Sequence, residues 1–287
     1  MTSKLKEGVM QVVFTLCACV SILAVALICI FLFANGVPTL FKIGPMQFLL
    51  GTTWKPGNDI FGILPMILGS IYVTAGAILV GVPIGLLTAI YMSRFASPAI
   101  NRVMLPAVQL LAGIPSVVYG LVGMIVLVPA IRNLFHLSSG ACLLAAMIVL
   151  AIMILPSIIN VSETALRAVP KEYEEASLAL GAAEMETYFR VSVRAARSGI
   201  AAAVVLGVGR AIGEAMAIIL VAGNVSNMPG LFTPVRFLTT GIISGMAYAS
   251  VGSLYQQALY SIGLVLFLFI MLINVFLNVC VKNRKEG

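Results

Sequence analysis

Charge is scarce in this chain: lysine, arginine, aspartate and glutamate make up 9% of its 287 residues, against about 25% in a soluble globular domain. An ordinary soluble domain is therefore excluded. Histidine occurs once, at His136, and the five cysteines (Cys17, Cys19, Cys29, Cys142, Cys280) show no paired metal-ligand spacing. Neither residue type supports a metal centre or a nucleophilic site, so no metal, cofactor or catalytic residue is assigned. No Gly-x4-Gly-Lys-Ser/Thr loop is present, which excludes an ATPase of the phosphate-loop kind. Tryptophan also occurs once, as Trp54, in a polar-interrupted segment where an amphipathic ring suits a membrane interface.

What the chain has instead is apolar length. Hydrophobic residues make up 61% of it and the mean hydropathy is +1.12, the composition of an integral membrane protein. A hydrocarbon core of about 30 Å needs about 20 apolar residues per helix. Six such runs fit, at about 9–34, 64–92, 104–130, 141–161, 199–224 and 254–281, giving an all-α fold of six transmembrane helices in one domain, 1–287. The first run is too long for a signal-peptide core and is expected as a retained span. Pro38, Pro45, Pro56, Gly57, Asn58 and Asp59 mark turns between the first two spans. Gly81 and Gly85 offer a small face for close helix approach. Pro115-Ser116 interrupts the third span and should face protein or a pathway, because lipid does not satisfy freed backbone groups; a packing kink is the alternative.

Segment 163–197 is the exception to the scarcity, holding eleven of the 27 charged side chains. It reads as two short amphipathic helices, 171–180 and 184–195, started by Pro170 and separated by a reversal at Gly181. A helix pair with one apolar and one charged face suits docking onto a protein. Orientation follows from lysine and arginine in alternate loops. With the N-terminus inside, the inner segments carry twelve (Lys4, Lys6, Arg94, Arg102, Arg167, Lys171, Arg190, Arg194, Arg197, Lys282, Arg284, Lys285) and the outer ones four (Lys42, Lys55, Arg132, Arg236). Both termini and the island are thus expected in the cytoplasm, and the net charge of +7 needs no nucleic acid to explain it.

The remaining lysine or arginine is Arg210, inside the fifth span, with Glu214 four residues on. A charge at that depth costs about 2.5–3.5 kcal/mol on insertion scales, so it should face a partner or a wet cavity. An i, i+4 ion pair fastening the span, and a place on a solute pathway, both satisfy that demand. Gly207, Gly209 and Gly213 strip the neighbouring surface of bulk.

These residues also carry a resemblance. The stretch Glu174-Glu175-Ala176-Ser177-x3-Gly181 resembles the EAA loop of ABC importer permeases, the helix pair that docks on the ATPase subunit. The family's Ile-x-Leu-Pro ending is here Val191-Ser192-Val193-Arg194. Residues 206–217 (Leu-Gly-Val-Gly-Arg-Ala-Ile-Gly-Glu-Ala-Met-Ala) with Gly223-Asn224, together with Phe61-Gly62-Ile63-Leu64-Pro65 and Leu111-Ala112-Gly113-Ile114-Pro115-Ser116-Val117-Val118-Tyr119-Gly120, are similar to ABC-type phosphate permeases of the PstC type.

The resemblance implies a transport subunit without its own ATPase site, in a bacterial plasma membrane. Its implied partners are a PstA-type second permease, a PstB-type ATPase dimer, a PstS-type extracytoplasmic phosphate-binding protein and membrane lipid. It also implies a substrate pathway at Arg210, Glu214, Ser116 and Asn224, and ATPase docking through Glu174, Glu175, Ala176 and Gly181. Sulfate and molybdate permeases share a similar Arg-x-x-Gly-Glu pattern, so another oxyanion stays open. A self-sufficient secondary transporter or channel would instead show internal repeats and no docking loop.

Overall fold

The computed structural model describes residues 2–283, with side chains over 7–276. Arg284 and Lys285, and the side chains of Lys4, Lys6, Lys282 and Cys280, therefore lie outside the described residues. The fold is all-α apart from one two-stranded hairpin. Five described helices are long and apolar enough to cross a membrane, and a sixth is obtained when the bent pair Glu184–Ala195 and Arg197–Gly213, 68° apart, counts as one span.

Helix α1 (Thr2–Ile43) lies at the edge, with Val20 and Ile22 about two-thirds exposed, as a lipid-facing helix should be. It continues nine residues past the expected end at 34, straight through Pro38. Asn35 and Thr39 bond carbonyls one turn back, and Ser261 donates to the Gly36 carbonyl, tying this stretch to the helix near the other end of the chain. Short helix α2 (Pro45–Leu50) and the antiparallel pair β1 (Trp54–Lys55) and β2 (Ile60–Phe61) follow. Trp54 is buried edge-on against Phe61 and Tyr255 rather than left at an open interface.

The centre of the bundle is α3 (Leu64–Ile90), ending in a π-turn at Tyr91–Phe95, packed along α7 (Leu143–Arg167). Glycines make this approach close: a Cβ at Gly81 would lie 2.8 Å from Ile154 Cδ1, and one at Gly85 2.8 Å from Ile158 Cγ2. The other flank of α7 takes α11 (Arg197–Gly213) at Gly207, whose Cβ would meet Ile158 at 3.0 Å. Helix α14 (Leu254–Asn283) carries α1, with Phe31 and Tyr260 in edge-to-face contact.

Two expected spans are broken. The run 104–130 divides into α4 (Pro98–Gly113) and α5 (Ser116–Val122), the latter continuing through a π-turn at Gly123–Leu127 into α6 (Val128–Leu134). Span-like length belongs to Ser116–Leu134, while α4 is amphipathic and packs Val108 against Met92 and Ile159. The break is local chemistry: the ring of Pro115 drives Ile114 into extended backbone, ψ 127°.

The run 199–224 divides likewise into α11 and α12 (Met216–Val221), with Glu214 extended at ψ 137°. Beyond it, the segment between the fifth and sixth expected spans contains α13 (Leu238–Met246). The end of α12 and the start of this segment close the first turn of α7: Cys142 donates its N–H to the Val221 carbonyl, and Leu143 and Leu144 donate theirs to the carbonyls of Thr233 and Leu231.

Between α7 and α11 the charged island forms α8 (Lys171–Ala179), α9 (Glu184–Thr187), a π-turn at Tyr188–Ser192 and α10 (Val193–Ala195).

Candidate functional site

The break in α11 decides what Arg210 and Glu214 can do. An i, i+4 ion pair needs the helix to run unbroken from Arg210 to Glu214, and it ends at Gly213, so of the two readings the ion pair does not form. Arg210 Nη1 instead donates to Ser157 Oγ of α7 at 3.2 Å. Glu214 turns the other way: its Oε1 accepts the Ala217 N–H at 2.9 Å in the first turn of α12, where a carboxylate opposes the helix dipole favourably. The Glu214 carbonyl, freed by the break, accepts from Thr239 Oγ1 at 2.9 Å. Among the described residues Arg210 has no acidic partner; the three ion pairs found are Arg94–Glu174, Arg167–Glu163 and Arg190–Glu186.

The second break lies alongside. Tyr119 donates its hydroxyl to the Leu111 carbonyl at 2.8 Å, bridging α5 back to α4, and lies within electrostatic range of Arg210. Ser116, half-buried, opens α5 one turn before Tyr119. An open groove of about 610 Å³ runs past Pro106, Gln109 and Pro115 at the same break. A separate groove of about 470 Å³ between α5 and α7 is lined by Val118, Val122, Ile148 and Ile152 and offers only Tyr119 as a side-chain donor, so it suits apolar matter rather than an anion. Gly209 and Gly213 have no atom within 4 Å of a Cβ position, leaving open space beside Arg210, whereas Gly207 is spent on packing.

Asn224 sits apart from Arg210. Its backbone is left-handed, φ 50°, and Arg236 clamps it, with Nε 3.0 Å from Asn224 Oδ1 and Nη2 2.8 Å from its carbonyl. Burial pulls the Arg236 guanidinium down from its usual range, with Tyr255 opposing. Asn224 thereby anchors the turn into α13. Ser157 and Arg236 were not singled out from sequence. The polar residue directly after Pro156 in α7 was the available signal for Ser157.

On the island, Gly181 takes φ +87° and closes a Schellman turn, with Gly181 N–H on the Leu178 carbonyl and Ala182 N–H on the Ser177 carbonyl. Glu175 and Ala176 are exposed, and Leu180 at the tip is 90% exposed, a large apolar residue with nothing of this chain over it. Glu174 differs from its neighbour. Both of its oxygens are taken, by Arg94 at 3.1 Å and by Ser192 Oγ at 2.7 Å, so it points into the protein. Tyr188 is buried beside it and bonded to Ser93, and burial pushes its phenol up, keeping it a neutral hydroxyl.

A family described as "Binding-protein-dependent transport system inner membrane component" matches residues 81–284, which include both breaks and the island. The chain belongs to that family. It is therefore a transport component of the membrane, a permease subunit. Among its relatives is "Probable ABC transporter permease protein YqgH" of Bacillus subtilis, 41% identical over 92% of this chain and 88% of that protein. "Phosphate transport system permease protein PstC" of Mesorhizobium japonicum is 35% identical, covering 86% of this chain and 81% of its own. In fold, the permease matches the MetNI methionine ABC transporter in an inward-facing conformation, with a TM-score of 0.58 at 20% identity over 80% of this chain and 99% of that one.

Proposed function

We propose that this permease forms, with a second permease subunit of the PstA type, the anion path of an ATP-driven importer for inorganic phosphate. A PstB-type ATPase dimer drives it and a PstS-type extracytoplasmic protein delivers the phosphate. The observation that carries the reading is Arg210: a guanidinium inside a span, held by a neutral serine, with Glu214 turned away and open space at Gly209 and Gly213. A planar fork of donors with no carboxylate on it suits a tetrahedral oxyanion. Relatives named as phosphate permeases, 30–35% identical over most of the chain, support phosphate among the oxyanions. Sulfate or molybdate would satisfy the same fork. The test is ATP-dependent uptake of radiolabelled phosphate by proteoliposomes holding all four kinds of subunit. Uptake that unlabelled sulfate or molybdate suppresses more strongly than unlabelled phosphate would overturn the assignment.

The same reading puts both termini and the island in the cytoplasm. A reporter inserted near Gly181 is predicted to be cytoplasmic, and one near Asn58 or Met228 extracytoplasmic. Protease cleavage of a Gly181 insertion from outside sealed cells would reverse the topology.

Docking of the ATPase is assigned to α8 and its turn, through Glu175, Ala176 and Leu180. A β-branched residue at Gly181 must adopt left-handed backbone at about 1–2 kcal/mol, a factor of about five to thirty against the required turn. Gly181→Val is predicted to insert normally but to lose ATPase co-purification and uptake within that range. Full retention of both would remove the docking role.

A further inference from the structure

Helix α8 has no buried residue, so its apolar side chains do not fasten it to the body of the protein. What holds it is polar. Ser177 Oγ meets Thr187 Oγ1 at 2.8 Å, which joins α8 only to the other half of the island. The remaining attachments converge on Glu174, whose Oε1 takes Ser192 of the π-turn at Tyr188–Ser192 and whose Oε2 takes Arg94 of the π-turn ending α3.

That first π-turn, Tyr91–Phe95, is gripped from every side. The Met92 carbonyl accepts Asn101 Nδ2 of α4 at 2.9 Å and Arg167 Nη2 of α7 at 3.5 Å. Arg167 is itself paired with the buried Glu163. Ser93 bonds the Tyr188 hydroxyl, and the Phe95 ring meets Tyr188 edge-on at 5.7 Å. Four consecutive residues thus engage α4, α7, α8 and the π-turn at Tyr188–Ser192.

We propose that Glu174 and Arg94 are positioning residues of transport, forming the strut that carries movement of α8 into the ends of α3 and α4. This rests on the reading of α8 as the face that meets the ATPase. Glu174 thereby separates from Glu175: adjacent carboxylates, one bracing the helix from within and one left for a partner. An ATPase pushing on α8 without the strut would tilt α8 about its Ser177–Thr187 contact and leave the spans where they are.

The test uses the assembled complex with Glu174→Gln, Arg94→Gln and the exchanged pair Arg94→Glu/Glu174→Arg. Tyr188→Phe is added because it removes the bond to Ser93 while keeping the ring. Both single glutamine variants should co-purify with the ATPase and keep basal ATP hydrolysis within twofold. Stimulation of hydrolysis by phosphate-loaded binding protein should fall at least fivefold, and the exchanged pair should recover at least half of it. Amide exchange over 171–179 and 91–95, read on the same complexes, should accelerate at least fivefold in the single variants. That second readout is independent of the cargo, so an error about phosphate shows as an unstimulated parent complex while the strut is still judged by exchange. Normal stimulation with unchanged exchange in the single variants would overturn the proposal. So would an exchanged pair no better than either single variant, or failure of Glu174→Gln to assemble while Tyr188→Phe couples and exchanges normally.

Discussion

Arg210→Lys should insert and assemble like the parent chain and lose phosphate uptake by at least tenfold. Lysine keeps the positive charge, so the insertion cost inside the span is little changed. What it loses is the planar fork: one flexible ammonium replaces a group that can hold Ser157 and a passing oxyanion at once. A hydrogen bond to a charged group contributes about 1.5–3 kcal/mol, and 1.4 kcal/mol is about tenfold, so the expected loss is about ten- to a hundredfold.

The break at Gly213 sharpens a second arm. If Arg210 and Glu214 were a structural pair, neutralising both would restore what either single change loses. They bond to different partners, so Arg210→Gln/Glu214→Gln should be no better than Arg210→Gln alone. Parent-level uptake by a stably assembled double variant would falsify the transport role of Arg210. Uptake should be compared at equal amounts of assembled complex, which keeps a folding defect from posing as a transport defect.

Gly120→Val should cost most of the assembled complex. A Cβ at Gly120 of α5 would lie 2.6 Å from the Ala217 carbonyl oxygen and 2.8 Å from its Cα, and both are backbone atoms that cannot rotate away. Ala217 also donates its N–H to the Glu214 carboxylate, so pushing it off loosens the cap that terminates the break. Overpacking of this kind costs about 1–3 kcal/mol or more. We expect at least a tenfold fall in complex recovered after mild heating. Gly113→Ala, with nothing within 4 Å of its Cβ position, should leave recovery unchanged. Equal recovery from the two variants would mean that α5 and α12 separate freely in the membrane.

Both results turn on features that periodicity could not deliver. Membrane class, the apolar runs, the charged helix pair and the isolated charge at Arg210 were all readable from the sequence, because apolar length and the placement of charged residues are one-dimensional quantities. The left-handed turn at Gly181 was readable too, since only glycine adopts that backbone cheaply. Pro38 reads as a turn yet lies inside α1, whereas Pro115 breaks its span where the interruption was expected. The helix beside Pro38 is held by Ser261, which comes from the far end of the chain and donates to the Gly36 carbonyl.

The pairing of Arg210, Glu174 and Asn224 was decided by tertiary structure alone. Sequence spacing offers Arg210 a partner at Glu214, yet the helix stops between them and Ser157 of another span takes the guanidinium. Two adjacent glutamates look interchangeable on paper, and Arg94, 80 positions away from Glu174 in the chain, makes one of them internal. Hydrophobic burial sets where a chain lies in a membrane and is proportional to area, so it can be summed along a sequence. Hydrogen bonds and ion pairs are directional and act over about 3 Å, and which groups come within that reach is fixed only when the helices pack.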